Sequence, residues 1–485
     1  MSCSKTNKPP LDRIPIKKYK YKKTFDASTL NRCYSGQFTL AWNKKSDCEL
    51  ISTKNFKVNP LTINGKQYQI KLLNLGNGQF REKKDFYTIK TIGKNVFKGN
   101  KDIGETLVVP TTIKTIDQNA FANTTIKNIC IKNATDFLPI NNNVFTGCKI
   151  NKIITHNDFY KSNIEWNKIC KNIISKPYTP SDYEKFMSRR TFQIGGLYLN
   201  DEKTDNSTRI SGTAWFVDKV NRNDDNDYKY WIATNLHMCC AVSEYKNRNF
   251  NKLVNAYIRG KHFFYPKNDE EIPNEFRRDW NEIDIPIKVK IDSIKNVNQN
   301  FNQDFCIMEI EINPNLLPDD IPSSKRQKIK QFYHYDSIPS YVFENMKKNL
   351  ANSLNALNRN LLLNNSFVVY TTDVLKDQTK IYSLGFGGPK NEYSFQEGEI
   401  YFNQKGFTDA GAYLQWVYGI RNSNKTSFGS GASGSMIINQ NFDVVGIHHS
   451  HMESKISYCE GEITNLSDCL HVNDKYNPIA KFLQD

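Results

Sequence analysis

At 485 residues the chain is longer than one hydrophobic core organises, so two or three domains are expected. An apolar content of 38% with 12% aromatics is too rich for a disordered chain, and no apolar run is long enough to cross a bilayer as a helix, which excludes an integral helical membrane protein. The net charge of +16 favours acidic partners, yet lysine and asparagine are spread along the whole chain and no nucleic-acid-binding motif accompanies them, so no specific nucleic-acid partner is expected.

Residues 1 to about 60 are basic, polar and weakly periodic, and read as an extended arm with a capping segment of a few short strands. Met1-Ser2-Cys3-Ser4 leads at once into Lys5 and the basic run Lys17-Lys18-Tyr19-Lys20-Tyr21-Lys22-Lys23, without a leader pattern. Two readings stay open: a trimmed export segment with Cys3 as a lipid-attachment site on an extracellular or surface protein, or a cytosolic start with an incidental cysteine. The eleven cysteines follow neither a zinc spacing nor a dense disulfide framework. Cys33 with Cys48, and Cys459 with Cys469, are the pairs that could each bridge one loop.

Residues 61–170 contain an internal repeat. Thr88-Ile89-Lys90-Thr91-Ile92-Gly93-Lys94-Asn95-Val96-Phe97 recurs as Thr112-Ile113-Lys114-Thr115-Ile116-Asp117-Gln118-Asn119-Ala120-Phe121, and in part as Ile140-Asn141-Asn142-Asn143-Val144-Phe145. Phe97, Phe121 and Phe145 fall 24 residues apart, as do Asn95, Asn119 and Asn143. A fixed period in the twenties, with apolar residues in register, marks stacked units that cannot bury their faces singly. The block resembles the bacterial surface-protein class of leucine-rich repeats, which implies a short solenoid, with Asp158-Phe159-Tyr160 and Trp166 as its terminal cap. Its phenylalanines and isoleucines are expected in the core, and protein docking on its polar positions is a reasonable role.

Residues 171–188, with Lys176-Pro177-Tyr178-Thr179-Pro180, read as a linker. From residue 189 to 485 the texture is that of many short strands, as in a β-barrel or sandwich. Within that region, Leu316 to Asn365 carries Phe343, Met346, Leu350, Leu354, Leu357 and Leu361 at spacings of three and four. This predicts an amphipathic helical insertion, at about 316–365, packed against the strands.

Gly429-Ser430-Gly431-Ala432-Ser433-Gly434-Ser435, just before the apolar run Met436-Ile437-Ile438, has the composition a nucleophilic serine needs. Glycines on both sides let the backbone turn so that the N–H groups of Gly431 and Ser433 point into one oxyanion hole. The stretch resembles the nucleophile loop of chymotrypsin-fold serine proteases. Thr234-Asn235-Leu236-His237 is similar to that family's histidine strand, and Asp304, ahead of the alternating residues Phe305 to Ile310, to its aspartate strand. His237, Asp304 and Ser433 then stand in the family's His–Asp–Ser order.

Ser211-Gly212-Thr213-Ala214-Trp215-Phe216-Val217, Trp231 to His237 and the Ser433 heptad together resemble the mycoplasma immunoglobulin-protease family. That resemblance implies a mostly-β, chymotrypsin-like double β-barrel with Ser433 as nucleophile, His237 as base and Asp304 as its orienting carboxylate. It also implies a protein substrate, immunoglobulin heavy chain, a separate antibody-capturing partner, a secreted or surface location and no cofactor. Ser427, His449, Ser450 and His451 would line the substrate pocket, with no acidic floor for lysine or arginine. Strand alternation puts His449 and His451 on one face and His448 on the other, so two could chelate zinc but no third ligand is evident, and no metal is expected. The rival reading is a surface adhesin or antibody-binding module that keeps the protease fold as a scaffold.

Overall fold

The computed structural model describes residues 19–235, 238, 253–259, 285–296, 306–312, 348–361, 380–386, 393–409, 414–422, 432–452 and 466–471, with short breaks at 32, 44–46, 64–65, 76–77, 83–84, 142, 202–205, 222–223, 225–226, 349 and 359–360. The architecture is mostly β. A repeat region precedes two further β units, one of which closes into a barrel.

The chain opens with β1 (Tyr21–Asp26), β2 (Tyr34–Trp42) and β3 (Asp47–Val58), an antiparallel meander. A small hairpin follows, β4 (Leu61–Ile63) with β5 (Lys66–Tyr68), and then β6 (Leu72–Asn74), β7 (Gln79–Glu82) and β8 (Asp85–Ile92). β3 pairs in parallel with β8, so β1, β2 and β3 share a sheet with the first repeat unit. The described part of this segment therefore folds as strands, and β1, with Lys22 and Lys23, forms its charged edge.

In the repeat region β9 (Thr106–Val109), β11 (Asn128–Ile131) and β12 (Lys152–Thr155) come one per turn of chain, with β10 (Thr115–Ile116) between the first two of them. β6, β9, β11 and β12 are joined in parallel register, while β10 pairs with β8. The 24-residue period appears as a column of rings. Phe97 and Phe121 stack at 5.2 Å and 6°, and Phe121 and Phe145 at 5.6 Å and 9°, all of them buried. Asn95 and Asn119 take left-handed φ values of 63° and 58°, which asparagine tolerates better than most residues. Two short helices, α1 (Phe159–Ser162) and α2 (Ile164–Ile169), close the column. Tyr160 and Trp166 are buried there, and the Trp166 indole donates to the Leu138 carbonyl at 3.0 Å.

The segment expected to be a linker is ordered. β13 (Ile173–Ser175) adds a fifth parallel strand beside β12, and α3 (Pro180–Ser188) follows. Pro180 begins this helix, where its missing N–H is no loss, and the Asp182 carboxylate accepts from the Thr179 N–H at 2.8 Å. Cys33 and Cys48 correct the expected bridge: both are buried thiols and no disulfide joins them. The Cys33 thiol donates to Asn31 Oδ1 at 3.0 Å, and burial pushes the Cys48 thiol up to about 12.

The second β unit comprises β14 (Thr191–Asp201), β15 (Asn206–Lys219), β16 (Lys229–Thr234), β17 (Leu253–Arg259), β18 (Ile285–Pro286), β19 (Lys288–Asn296) and β20 (Cys306–Glu311). They form one sheet in the order β18-β17-β14-β15-β16-β20-β19. The predicted amphipathic helix packs on it. Residues 350–358 are helical, and Leu350, Leu354, Leu357 and Leu361 bury against a core that includes Phe216, Ile232 and Met308. The Tyr230 hydroxyl donates to Asn358 at 2.7 Å, pinning the helix to β16.

The third unit comprises β21 (Lys380–Phe386), β22 (Tyr393–Asp409), β23 (Leu414–Asn422), β24 (Met436–Asn439), β25 (Val444–Met452) and β26 (Leu466–His471). These six strands close into an antiparallel barrel in the order β21-β22-β23-β26-β25-β24. Among the described residues no helix is long and apolar enough to cross a membrane.

Candidate active site

Ser433 lies in a tight turn between Ala432 and Ser435, immediately before β24. The turn is closed by the Ser435 N–H, which donates to the Ala432 carbonyl at 3.0 Å. It is tied to the barrel on the other side, because the Gly434 N–H donates to the His448 carbonyl and the His448 N–H to the Ser435 carbonyl, each at 2.9 Å.

Gly434 explains the glycine after the serine. Its φ is +92°, and a Cβ at this position would stand 2.0 Å from the Thr213 carbonyl oxygen and 2.6 Å from Thr234 Oγ1. Only glycine meets both demands.

The two serines of the turn are placed very differently. Ser435 is fully buried, and its hydroxyl donates to the Ala432 carbonyl at 2.5 Å. Its bulk is accommodated by Gly385 of β21, where a Cβ would come within 1.8 Å of the Ser435 oxygen. Ser433 remains partly exposed. A nucleophile must be reachable by substrate, so the geometry separates the pair where composition cannot.

Thr213 of β15 joins the turn to both β units, a role that sequence reasoning missed although Thr213 sits inside a singled-out stretch. Its N–H donates to the Ser433 carbonyl at 2.7 Å, its carbonyl accepts the Thr234 hydroxyl at 2.7 Å, and its hydroxyl accepts the Phe386 N–H at 2.9 Å. A threonine between glycine and alanine in an apolar strand was the available signal, since a buried hydroxyl needs a partner. Thr234, at the end of β16, is in turn the register partner of Cys306, the first residue of β20. The Cys306 thiol donates to the Asn235 carbonyl at 3.7 Å. The strand leading toward residue 237 and the strand arriving from residue 304 are thus neighbours, and Thr213 links the first of them to the serine turn.

His237, Asp304, Gly431 and Ser427 themselves lie outside the described residues. His449, Ser450 and His451 belong to β25 by backbone, Ser450 opposite Asp468 and His451 opposite Ser467, and their side chains lie outside the description. The register of β25 on β26 shifts between His448 and Ser450, so the simple alternation that assigned three histidines to two faces does not hold through this bulge. His448 is buried at 2% exposure. Among the described residues no three His, Cys, Asp or Glu side chains gather as a metal site.

Comparison with known proteins gives three findings. Residues 181–257 match the family model described as mycoplasma immunoglobulin protease, and residues 76–181 match that of the BspA-type leucine-rich repeat region, in 6 copies. An uncharacterized protein of Ureaplasma parvum serovar 3, UU030, is 27% identical over 351 residues, covering 56% of this chain and 46% of its own length. The chain therefore spans about half the length of this curated relative. Among solved structures, the HtrA-type protease AlgW with a decapeptide is similar at TM-score 0.29 and 8% identity, covering 61% of this chain and 64% of that one. The active form of the Rv3671c protease from M. tuberculosis is similar at TM-score 0.31 and 11% identity, covering 64% and 94%.

Proposed function

We propose that the chain is a serine endopeptidase of the chymotrypsin-like double-barrel type, carried behind a leucine-rich-repeat solenoid. The observation that carries this reading is the seat of Ser433: a partly exposed serine in a glycine-supported turn, bonded through Thr213 to the strand end that leads to the histidine. His237 follows Asn235 by two residues and Asp304 precedes Cys306 by two, so each is within about 7 Å of extended chain from the Asn235–Cys306 contact. The mycoplasma immunoglobulin-protease match spans the segment containing His237.

In this mechanism the Ser433 hydroxyl attacks a peptide carbonyl while His237 takes its proton. Asp304 holds the histidine tautomer, and the N–H groups of Gly431 and Ser433 receive the oxyanion. The tetrahedral intermediate collapses as His237 returns the proton to the leaving amine; water, activated by the same histidine, then releases the acyl group. Ser427, His449, Ser450 and His451 line the substrate, consistent with the backbone bond between His448 and Gly434 that brings β25 beside the turn. No cofactor enters this scheme. The substrate class is protein, and the matched family's description as an immunoglobulin protease supports an immunoglobulin substrate; the heavy chain as its target, a separate antibody-capturing partner and a surface location are what the resemblance implies, with Cys3 either a lipid-attachment site or an incidental cysteine.

Incubation with immunoglobulins G, A and M, beside Ser433→Ala and Ser435→Ala, tests the proposal. Discrete fragments are expected from wild type, and Ser433→Ala should lower turnover by about 10⁶. Ser435→Ala should keep a substantial rate while losing about 1 kcal/mol of stability with its hydroxyl bond. Cleavage surviving in Ser433→Ala would sink the assignment. Binding without cleavage by wild type, together with no fluorophosphonate label on Ser433, would move the reading to the adhesin class.

A further inference from the structure

The hairpin that follows Ser433 is gripped from outside the barrel. β24 runs four residues from the serine turn, all buried, and returns through Gln440-Asn441-Phe442-Asp443 into β25. The return is closed internally by Asn439, whose Oδ1 accepts the N–H groups of Asn441 at 2.8 Å and Asp443 at 3.0 Å.

Two other parts of the chain hold the tip. From the repeat region, the Ala134 N–H donates to Asn441 Oδ1 at 2.8 Å, and Asn441 Nδ2 donates to Thr135 Oγ1 at 3.1 Å. Asn133 fixes the loop that presents these groups, accepting from the N–H groups of Thr135 and Asp136 at 3.0 and 2.7 Å. From α3 and the turn before it, the Tyr183 hydroxyl donates to the Gln440 carbonyl at 3.0 Å. Phe442 is wedged among Tyr178, Tyr183 and Phe186 at ring separations of 4.6, 4.7 and 5.1 Å.

Phe442 also has φ +64°, a conformation that a bulky side chain adopts only under constraint. Glycine would suit the turn better. An aromatic ring at such a position is explained by what the ring does, which is to lock the tip between the barrel and α3.

We propose that the repeat region and α3 act in cis as a clamp on the nucleophile hairpin, with Asn441 and Phe442 as positioning residues that keep the Ser433 turn seated on Thr213. For its catalytic consequence this rests on the serine-endopeptidase reading above. The link is short: a shift of the tip moves β24 along β21 and β25, and the first residues displaced are Ser435 and Gly434, which bond His448.

The test uses the full chain as wild type, Asn441→Ala, Asn441→Asp and Phe442→Gly. Asn441→Ala removes both bonds to the repeat region; Asn441→Asp keeps the acceptor for the Ala134 N–H, and its second oxygen can take the Thr135 hydroxyl once that hydroxyl turns from Asn133 Oδ1, to which it donates at 3.3 Å. Phe442→Gly keeps the turn conformation and removes the wedge. Hydrogen exchange read by mass spectrometry should quicken about tenfold in the peptide 432–448 of Asn441→Ala and Phe442→Gly, with 229–234 unchanged, and Asn441→Asp should restore it. The maximal rate of fluorophosphonate reaction at Ser433 should fall on the order of 100-fold in the same two variants, with the half-saturating concentration unchanged. Unchanged exchange in 432–448 in both variants would overturn the clamp. A wild type that takes no label would instead overturn the serine reading, and the exchange pattern would still decide the clamp.

Discussion

His156 lies where the repeat region meets α3. Its ring stacks on Tyr178 at 3.6 Å and 13°, and its Nδ1 donates to the Lys176 carbonyl at 2.6 Å. Burial, reinforced by Lys132 and Lys176, lowers its pKa below the ordinary 6.5, against the opposing pull of that carbonyl and of Asp182. The fold therefore prefers the neutral ring, while the unfolded chain takes a proton more readily. The stability this contributes is present above about 6.5 and is lost as pH falls through the folded value. Thermal unfolding at about pH 7.5 and about 5.5 should show a steeper loss for wild type than for His156→Phe; equal losses would remove His156 from the acid response. At this scale the sequence is legible only in part. Ser433 and Ser435 are equivalent in composition, and Gly385, which makes room for Ser435, lies fifty residues before it.

The column of phenylalanines shows what a strict period makes readable. Each ring meets the same ring one unit on, so an apolar residue recurring every 24 residues specifies both the strand and its neighbour. Phe121, stacked on both sides, should be the costly member: Phe121→Ala is expected to lose about 3–5 kcal/mol in denaturant unfolding. A loss under about 1 kcal/mol would mean that the column collapses to fill the gap. Elements without a local period were harder to read. β3 finds its parallel partner β8 well beyond the adjoining hairpin, and the lysines of β1 resemble an unstructured arm because they face outward from an edge. Pro177 and Pro180 suggested a break, when Pro180 is the first residue of a helix that stacks Tyr183 on Tyr382 at 3.7 Å.

At the scale of the molecule, the two β units share a packed core, Trp215 and Val217 of one with Leu384 and Met436 of the other, and their backbones cross where Gly434 passes Thr213. Several of these strands were legible as short apolar runs, but this contact joins residues more than two hundred apart and leaves no local trace beyond the glycine. Gly434→Ala should force the serine turn off β15, lowering the thermal midpoint by several degrees, about 2–4 °C for each kcal/mol lost. Calorimetry would show this, and a midpoint unmoved by the change would mean that the crossing bears no strain. The barrel also has an order of assembly written into it. β26 stands between β23 and β25, so the ring stays open until Leu466–His471 have been synthesised, well after Ser433 has left the ribosome's catalytic centre. Chains truncated ahead of Leu466 and released from the ribosome are expected to leave the 432–439 segment open to added protease. A growing chain thus carries its serine for some time without a finished seat, and the last strand to arrive sets the moment at which the site comes into being.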